Sequence, residues 1–405
     1  MSLDGKVPRL VHLTTTDMSL DWLLGPQLAA FAAAGFEVIG VSADGPHVER
    51  LRSRWGVEHV ALRHSTRARD PISDLRAACE FFSLLRRLRP DLVHTHNPKP
   101  GIYGRIVARL AGVPVVVNTQ HGLYATSDDP LPKRILVYAV ERLAAVFSDM
   151  ELVQSREDLR TLAALRVPGR KLRWLGNGVD LGRYSPASAE AGARVRVRAE
   201  WGVPQQAVVV GSVGRLVREK GWEDFFAAAG RLRDKGEVVF VAVGPREPGK
   251  PDALDEHDLE EAERSGVLVV GERHDMVDVY SAFDVFVLAS RREGFPRSAM
   301  EAAAMALPLV VTDVRGCREV VDDGVNGFLY PPGNVAKLVE ILSALVADEA
   351  KRQRMGAASR RKALAEFDQR RVITTTLDVY RELLERAARR RPLRARFLRA
   401  RASSE

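Results

Sequence analysis

The sequence predicts an α/β protein built from two doubly wound parallel-sheet domains, and three observations lead there. Short runs rich in Val, Ile and Leu alternate with longer amphipathic stretches, the pattern of repeated strand–helix units. The alternation occurs twice in 405 residues, whereas one hydrophobic core stops growing near roughly 250–300 residues. Between the two halves lies NGVDLGRYSPASAEAGARVRVRAEWGVP, whose Gly, Ser, Ala and Pro content marks a linker carrying a short basic helix.

In the first half the expected strands are 9–14, 37–42, 59–62, 92–95, 115–119 and 150–154, with helices such as 21–34 and 74–88 between them. In the second half they are 208–213, 238–243, 267–270, 285–288 and 309–312, with helices including 222–233, 276–282 and 297–306. The expected division is a domain over 1–176, a linker over 177–206, a second domain over 207–365, and a C-terminal helix plus Arg-rich tail over 366–405 that returns toward the first domain. No repeat of 20–50 residues is evident. In open parallel sheets ligands sit outside the carboxyl ends of the strands, so an interdomain cleft is the expected site.

Composition narrows the class further. The two cysteines, Cys79 and Cys317, lie far apart and form no C-x-x-C, which excludes a disulfide framework or a structural zinc site of familiar spacing and suits a reducing cytoplasm. The first twenty residues hold no signal-peptide-like apolar run, and no apolar run approaches the roughly 18 residues of a span. The net charge is +8, and residues 381–405, with nine Arg against three Glu, hold +6 of it. The rest of the chain is nearly neutral, unlike a nucleic-acid binder with a basic folded body. The tail RRRPLRARFLRARASSE suits an anionic membrane surface or a solvated end. Two further stretches, 71–89 and 131–147, mix apolar and basic residues at helical spacing; they fit membrane contact or packing on their own sheet.

Chemistry-bearing residues follow the expected strands. In VVVGSVGRLVREKGWEDFF, Gly211 and Gly214 permit a tight turn, and Arg215 and Lys220 precede the helix near Trp222. Two cations beside a helix N-terminus suit a diphosphate, or else form a solvated basic loop. Neither G-x-G-x-x-G nor a P-loop is present there. In SRREGFPRSAMEAAAMALPLVVTD, Gly294 and Pro296 place Glu293 in a turn while Glu301 enters the next helix. The Gly294 and Phe295 amides at that entrance can donate to an anion or a sugar hydroxyl. Fixed carboxylates accept from sugar or ribose diols, could act as acid and base in a hydrolase, or could cap the helix.

These residues resemble glycosyltransferase family 4. The resemblance rests on GRLVREKG, on the E-x7-E pair within EGFPRSAMEAAAMALPLVVTD, and on GCREVVDDGVNGFLYPPG after it, in family order and spacing, over about residues 8–365. In the first half HTHNPKPGIYGRIVARLAGVPVVVNTQHGLY is similar to members that build capsule, exopolysaccharide or O-antigen units on a polyprenyl-diphosphate carrier. The resemblance implies a GT-B fold, two Rossmann-like domains facing across a cleft, and a retaining transfer from a nucleotide-sugar, with UDP favoured. It implies that Arg215 and Lys220 hold the donor diphosphate at the Gly214 turn. Glu301 would hold the ribose hydroxyls, and Glu293 with Gly294 and Phe295 the transferred sugar. His121 would face that sugar, and Arg273 to Met276 would meet the nucleobase. The first loop, TTTDMS, departs from the Gly-Gly pair of many members.

Fixed cations aimed at the leaving phosphate act where charge develops. Metal-dependent sugar transferases often use D-x-D, which this sequence lacks, so neither a metal nor any other cofactor is expected. His94 and His96 could ligate a metal, contact the acceptor or close the cleft, or serve structural hydrogen bonding. Lys99, Tyr103 and Arg105 suit an acceptor phosphate or a plain polar surface. The expected partners are a nucleotide-sugar, a lipid-linked or other glycan acceptor, and an anionic membrane surface, but not nucleic acid. The expected place is the cytoplasmic face of the cell membrane. The alternatives are a same-fold transferase for a soluble acceptor such as an aminocyclitol or phosphosugar, a non-catalytic sugar-nucleotide or glycan binder, and a sugar-nucleotide epimerase.

Overall fold

The computed structural model describes residues 6–402 except 69, 97, 127–128, 234–237 and 248–249, with side chains described to residue 389. The chain divides into two compact units, Met1–Leu175 with Arg371–Glu405, and Gly176–Arg370.

The first unit carries a seven-stranded sheet: β1 (Arg9–Thr16), β2 (Glu37–Ala43), β3 (Glu58–Ala61), β4 (Leu92–His96), β5 (Val115–Gln120), β6 (Met150–Val153) and β7 (Leu172–Trp174), in the order β3-β2-β1-β4-β5-β6-β7. The second carries β8 (Val208–Val213), β9 (Val238–Val243), β10 (Val267–Gly271), β11 (Val285–Leu288), β12 (Leu309–Thr312) and β13 (Gly327–Tyr330), in the order β10-β9-β8-β11-β12-β13. Every pairing is parallel. Strands such as Val115–Gln120 and Leu309–Thr312 are buried along their whole length, as strands covered by helices on both faces must be. Both sheets reverse their order beside the first strand, at β1/β4 and β8/β11, where doubly wound sheets open a crevice. This is the pair of Rossmann-like domains of a GT-B fold.

Several local features differ from the sequence reading. The edge strands β7 and β13 escaped it because three or four residues make no recognisable apolar run. The helix expected from Asp21 begins as a wider π turn, Ser19–Leu24, before Gly25–Ala33. Residues 177–206 pack into the second unit: Val179, Leu181, Tyr184 and Val203 join its core. Arg198, on the helix Ala193–Glu200, is fully buried and donates to Asp284 at 2.6 Å and to the Ala282 and Ala207 carbonyls. The last helix, Gln369–Ala402, places Val372, Val379, Tyr380 and Leu383 in the core of the first unit with Leu10, Phe31 and Leu92. Among the described residues no helix is long and apolar enough to cross a membrane.

One face of the first sheet is held by a buried charge cluster. Arg105, wholly buried on the helix Lys99–Leu110, donates to Glu141 at 2.7 Å and to Glu151 at 2.8 Å. Asn118 donates to Glu151 at 2.7 Å and Gln120 to Glu141 at 2.8 Å. Removing one partner of such a group leaves uncompensated charge in the interior, at about 3–5 kcal/mol. Arg105→Leu should therefore destabilise the first unit by about that amount, read as a lower urea midpoint; an unchanged midpoint would remove the cluster from the forces holding this layer.

Candidate functional site

In the second unit the loop after β8 turns at Gly214 and continues through Arg215 to a 3-10 turn, Arg218–Lys220, and the helix Trp222–Leu232. Two glycines allow this path. Gly221, at φ +67°, lies where a Cβ would stand 2.0 Å from the Ala289 carbonyl oxygen, and a Cβ on Gly244, at φ +156°, would stand 1.8 Å from that of Gly214. The indole of Trp222 donates to the Arg215 carbonyl at 2.9 Å, which fixes the loop to the helix that follows. Arg215 bonds Glu247 at 2.7 Å. Lys220 reaches in the other direction, to Glu293 at 2.5 Å.

That contact joins the basic turn to the loop after β11. Glu293 also accepts from the Ser290 hydroxyl at 2.7 Å, and the Arg291 amide donates to the Glu219 carbonyl at 2.9 Å. Gly316, at φ +82°, lets the backbone of Glu293 and Gly294 come close: a Cβ there would sit 2.4 Å from the Gly294 oxygen. Phe295 is buried against Phe367, and Asn177 donates to its carbonyl at 3.4 Å. Glu301, buried in the helix Arg297–Ala304, accepts from Tyr280 at 3.0 Å and from Arg297 at 3.0 Å. The structure thus gathers Gly214, Arg215, Lys220, Glu293, Gly294 and Phe295 along the carboxyl edge of one sheet. Arg273 grips Asp275 with two bonds, at 2.8 and 2.6 Å, and also pairs with Glu200. Met276 opens the helix Met276–Ser281 and packs against the core.

The first unit holds a hydrogen-bonded chain of rings. His94 and His96 share a face of β4, and the β1–β4 register places His12 beside His94. His12 Nδ1 lies 3.0 Å from His96 Nε2, and His96 Nδ1 lies 2.9 Å from His121 Nε2. His12 Nε2 lies 3.3 Å from the Tyr380 hydroxyl, which also bonds His94 Nδ1, and His94 Nε2 is 2.7 Å from the Thr119 hydroxyl. Burial lowers the pKa of His12 to about 3 and that of His121 to about 4, and it lowers His94 and His96 well below the usual histidine value. Neutral imidazole carries one donor and one acceptor. His121 also bonds the Gln154 side chain. With the other His121 nitrogen donating to Gln154, each ring is protonated on Nδ1 and every bond in the chain runs the same way, from Thr119 to Gln154.

This geometry corrects two expectations. His94 and His96 are buried with both nitrogens of each engaged, so they do not contact an acceptor. Arg105 is held by two internal carboxylates and cannot meet an acceptor phosphate. Lys99 bonds Asp74 at 2.7 Å, and it lines a small cavity with Tyr103, Ser65 and Thr15, the last from the TTTDMS loop. His12 was missed because it is 82 residues from His94 and only the β1–β4 pairing brings them together. One nitrogen from each of His12, His94 and His96 lies within 4.8 Å of the other two, a spacing that could hold a metal ion; the hydrogen bonds above already engage all six nitrogens of these rings. Tyr280, Glu247 and Gly316 also escaped the sequence reading; Arg297, four residues before Glu301 on one helix, had the spacing to be found.

Known proteins carry the same two halves. Glycosyltransferase Family 4 matches residues 27–183, and Glycosyl transferases group 1 matches residues 194–362. The UDP-Gal:alpha-D-GlcNAc-diphosphoundecaprenol alpha-1,3-galactosyltransferase of Escherichia coli is 30% identical over 282 residues, covering 69% of this chain and 72% of that protein. The alpha-maltose-1-phosphate synthase of Mycolicibacterium smegmatis is 32% identical over 320 residues, covering 72% and 79%. The fold is shared with Anabaena Alr3699/HepE, solved in complex with UDP and glucose, at TM-score 0.76 and 18% identity over 92% of this chain and 98% of that one. With each half matched in order and two relatives at or above 30% identity across more than two thirds of their lengths, this chain belongs to glycosyltransferase family 4.

Proposed function

We propose that the chain transfers a sugar from a UDP-sugar to a hydroxyl of a lipid-linked saccharide, with retention of anomeric configuration and without a metal ion. The observation that carries this reading is the 2.5 Å contact between Lys220 and Glu293, which sets a cationic turn and a carboxylate loop around one point at the sheet's carboxyl edge. In this reading the second unit binds the donor. Arg215 and Lys220 meet the diphosphate, Glu301 the ribose hydroxyls, and Glu293 with the Gly294 and Phe295 amides the hydroxyls of the sugar. The segment from Arg273 to Met276 lies toward the nucleobase.

The bond between the anomeric carbon and the phosphate oxygen breaks, and negative charge grows on the departing UDP, where the two cations stabilise it. The acceptor oxygen bonds the same carbon from the same face, and its proton passes to a phosphate oxygen of the leaving group. No protein nucleophile is needed, and Glu293 binds rather than abstracts a proton. His121, kept neutral at the end of its ring chain with its nitrogens held by His96 and Gln154, faces the sugar without a charge that would oppose an oxocarbenium-like centre. Tyr380 is a positioning residue in this scheme, acting through His12 and His96.

The lipid-linked acceptor draws support from the Escherichia coli relative, whose name specifies a diphosphoundecaprenol substrate. The second reading, a soluble phosphosugar or other small acceptor, is favoured by the similarity to alpha-maltose-1-phosphate synthase. Work at the inner face of the cell membrane goes with the first reading. The Arg-rich tail invoked for membrane attachment lies beyond the described side chains.

Arg215→Ala should lower transfer about 10²–10³-fold, the cost of removing one group that stabilises developing charge, and Glu301→Gln should raise the donor KM. Nucleotide release from a panel of UDP-, GDP-, ADP- and dTDP-sugars, with and without membrane lipid extract, measures both; normal turnover by both variants would sink the assignment. The histidines give a pH dependence of stability. Their folded pKa values lie below the 6.5 of the unfolded chain, so the unfolded state binds more protons at mildly acid pH. Stability is fully present above pH 6.5 and falls as pH drops, by about 1.4 kcal/mol per pH unit for each ring. The urea midpoint should therefore fall steeply between pH 7 and 5, and a flat midpoint would contradict the neutral ring chain.

A further inference from the structure

Two helices of the first unit expose what soluble helices usually bury. On Leu131–Ala144 and its continuation, Leu131, Ile135, Leu136, Leu143 and Val146 are each 58–66% exposed. At 100° per residue they fall on one side of the helix, with Ala139 and Arg142 between them. On Pro71–Leu88, Ile72 and Leu75 are 64% and 66% exposed, and Phe82, Arg76, Arg86 and Arg87 are exposed with them. Both helices pack against Lys99–Leu110, so they flank it on one face of the sheet. Contiguous exposed apolar surface with a polar rim marks an interaction site.

The charge on this face has one sign. Neither helix carries an exposed acidic side chain: Asp74 and Glu80 are part-buried and paired with Lys99 and His64, and Glu141 is buried against Arg105. The exposed charges are arginines; Lys133 and Arg134 lie part-exposed at the start of the second helix, Lys133 paired with Asp129 at 2.5 Å. Tyr124, 45% exposed, stands beside Lys133, whose ammonium lies 5.5 Å from the ring centre. Apolar side chains with an aromatic and an arginine-rich rim match the boundary between acyl chains and anionic headgroups. A second copy of the chain fits less well, because an isologous contact would turn these arginines toward their own counterparts with no acid to meet them.

We propose that the outer face of the helices Pro71–Leu88 and Leu131–Ala144 docks on the interface of an anionic lipid bilayer. The inference deepens the reading of a membrane-borne acceptor and rests on it for its purpose, but the binding is measured without substrate. The apolar stripe enters the headgroup boundary, and Arg76, Arg86, Arg87 and Arg142 meet lipid phosphates. The face lies on the unit assigned to the acceptor.

The test is co-sedimentation of the full chain with phosphatidylcholine vesicles and with vesicles in which roughly a third of the lipid is phosphatidylglycerol. The wild type should bind the anionic vesicles. Ile135→Glu with Leu143→Glu, and separately Arg76→Glu with Arg86→Glu, should each cut that binding at least tenfold. Both pairs alter exposed positions and should leave thermal unfolding and nucleotide release from a soluble donor unchanged. Arg215→Ala should bind vesicles like the wild type, so a failure of the donor assignment and a failure of this one give different results. Replacing Arg394, Arg396, Arg399 and Arg401 by Gln separates the tail from the helices. Wild-type-like binding by both helix pairs overturns the proposal, as does loss of binding in the tail variant alone. Conversion of a dimer to a monomer by Ile135→Glu with Leu143→Glu, at unchanged vesicle binding, also overturns it and assigns the face to a second copy.

Discussion

Three close backbone approaches make the carboxyl edge of the second sheet possible. Gly221 lies against the Ala289 carbonyl, Gly244 against that of Gly214, and Gly316 against that of Gly294. At each a Cβ would stand 1.8–2.4 Å from a carbonyl oxygen, well inside contact distance, and each glycine has positive φ. These contacts pull the loops after β8, β9, β11 and β12 together. Without them the basic turn and the carboxylate loop would stand apart, and Lys220 could not reach Glu293. The chemistry of the unit depends on backbone that only glycine permits.

The two units solve the burial of polar groups in different ways. The second keeps its polar groups in opposed pairs, Arg215 with Glu247, Lys220 with Glu293, and Arg297 with Glu301. Each cation is thereby fixed in direction by a carboxylate. The first unit places one charged cluster, around Arg105, deep under its helices, and a chain of uncharged rings on the other side of the sheet from β1 to the last helix. Burying neutral imidazoles costs far less than burying ions when each donor meets an acceptor. Here Tyr380, arriving from the far end of the sequence, closes the chain between His12 and His94.

Much of the fold was legible because it depends on short-range pattern. Buried parallel strands announce themselves as continuous Val, Ile and Leu runs, and the glycine-rich turns after them mark strand ends. The residues that line the carboxyl edge of the second sheet were legible for the same reason, since Gly214 to Lys220 and Glu293 to Glu301 are local in sequence. What could not be read is what only the sheet order creates. His12 meets His94 because β1 lies beside β4, and Glu247 meets Arg215 because β9 lies beside β8. Arg105 misled for a complementary reason: an arginine on an amphipathic helix reads as surface until Glu141 and Glu151 arrive from later elements.

The helix Leu131–Ala144 shows the same limit from the opposite side. Its sequence, LPKRILVYAVERLA, has apolar residues around most of its circumference, and periodicity alone assigns such a helix to the interior. One residue decides which side of the helix faces inward. Glu141 must turn inward to meet Arg105, and this fixes the rotation of the helix about its axis. With Glu141 buried, Leu131, Ile135, Leu136 and Leu143 are left outside. The buried ion pair thus sets which apolar face the unit presents, and a helix rotated to hide those side chains would leave Arg105 with Glu151 alone of its two carboxylates.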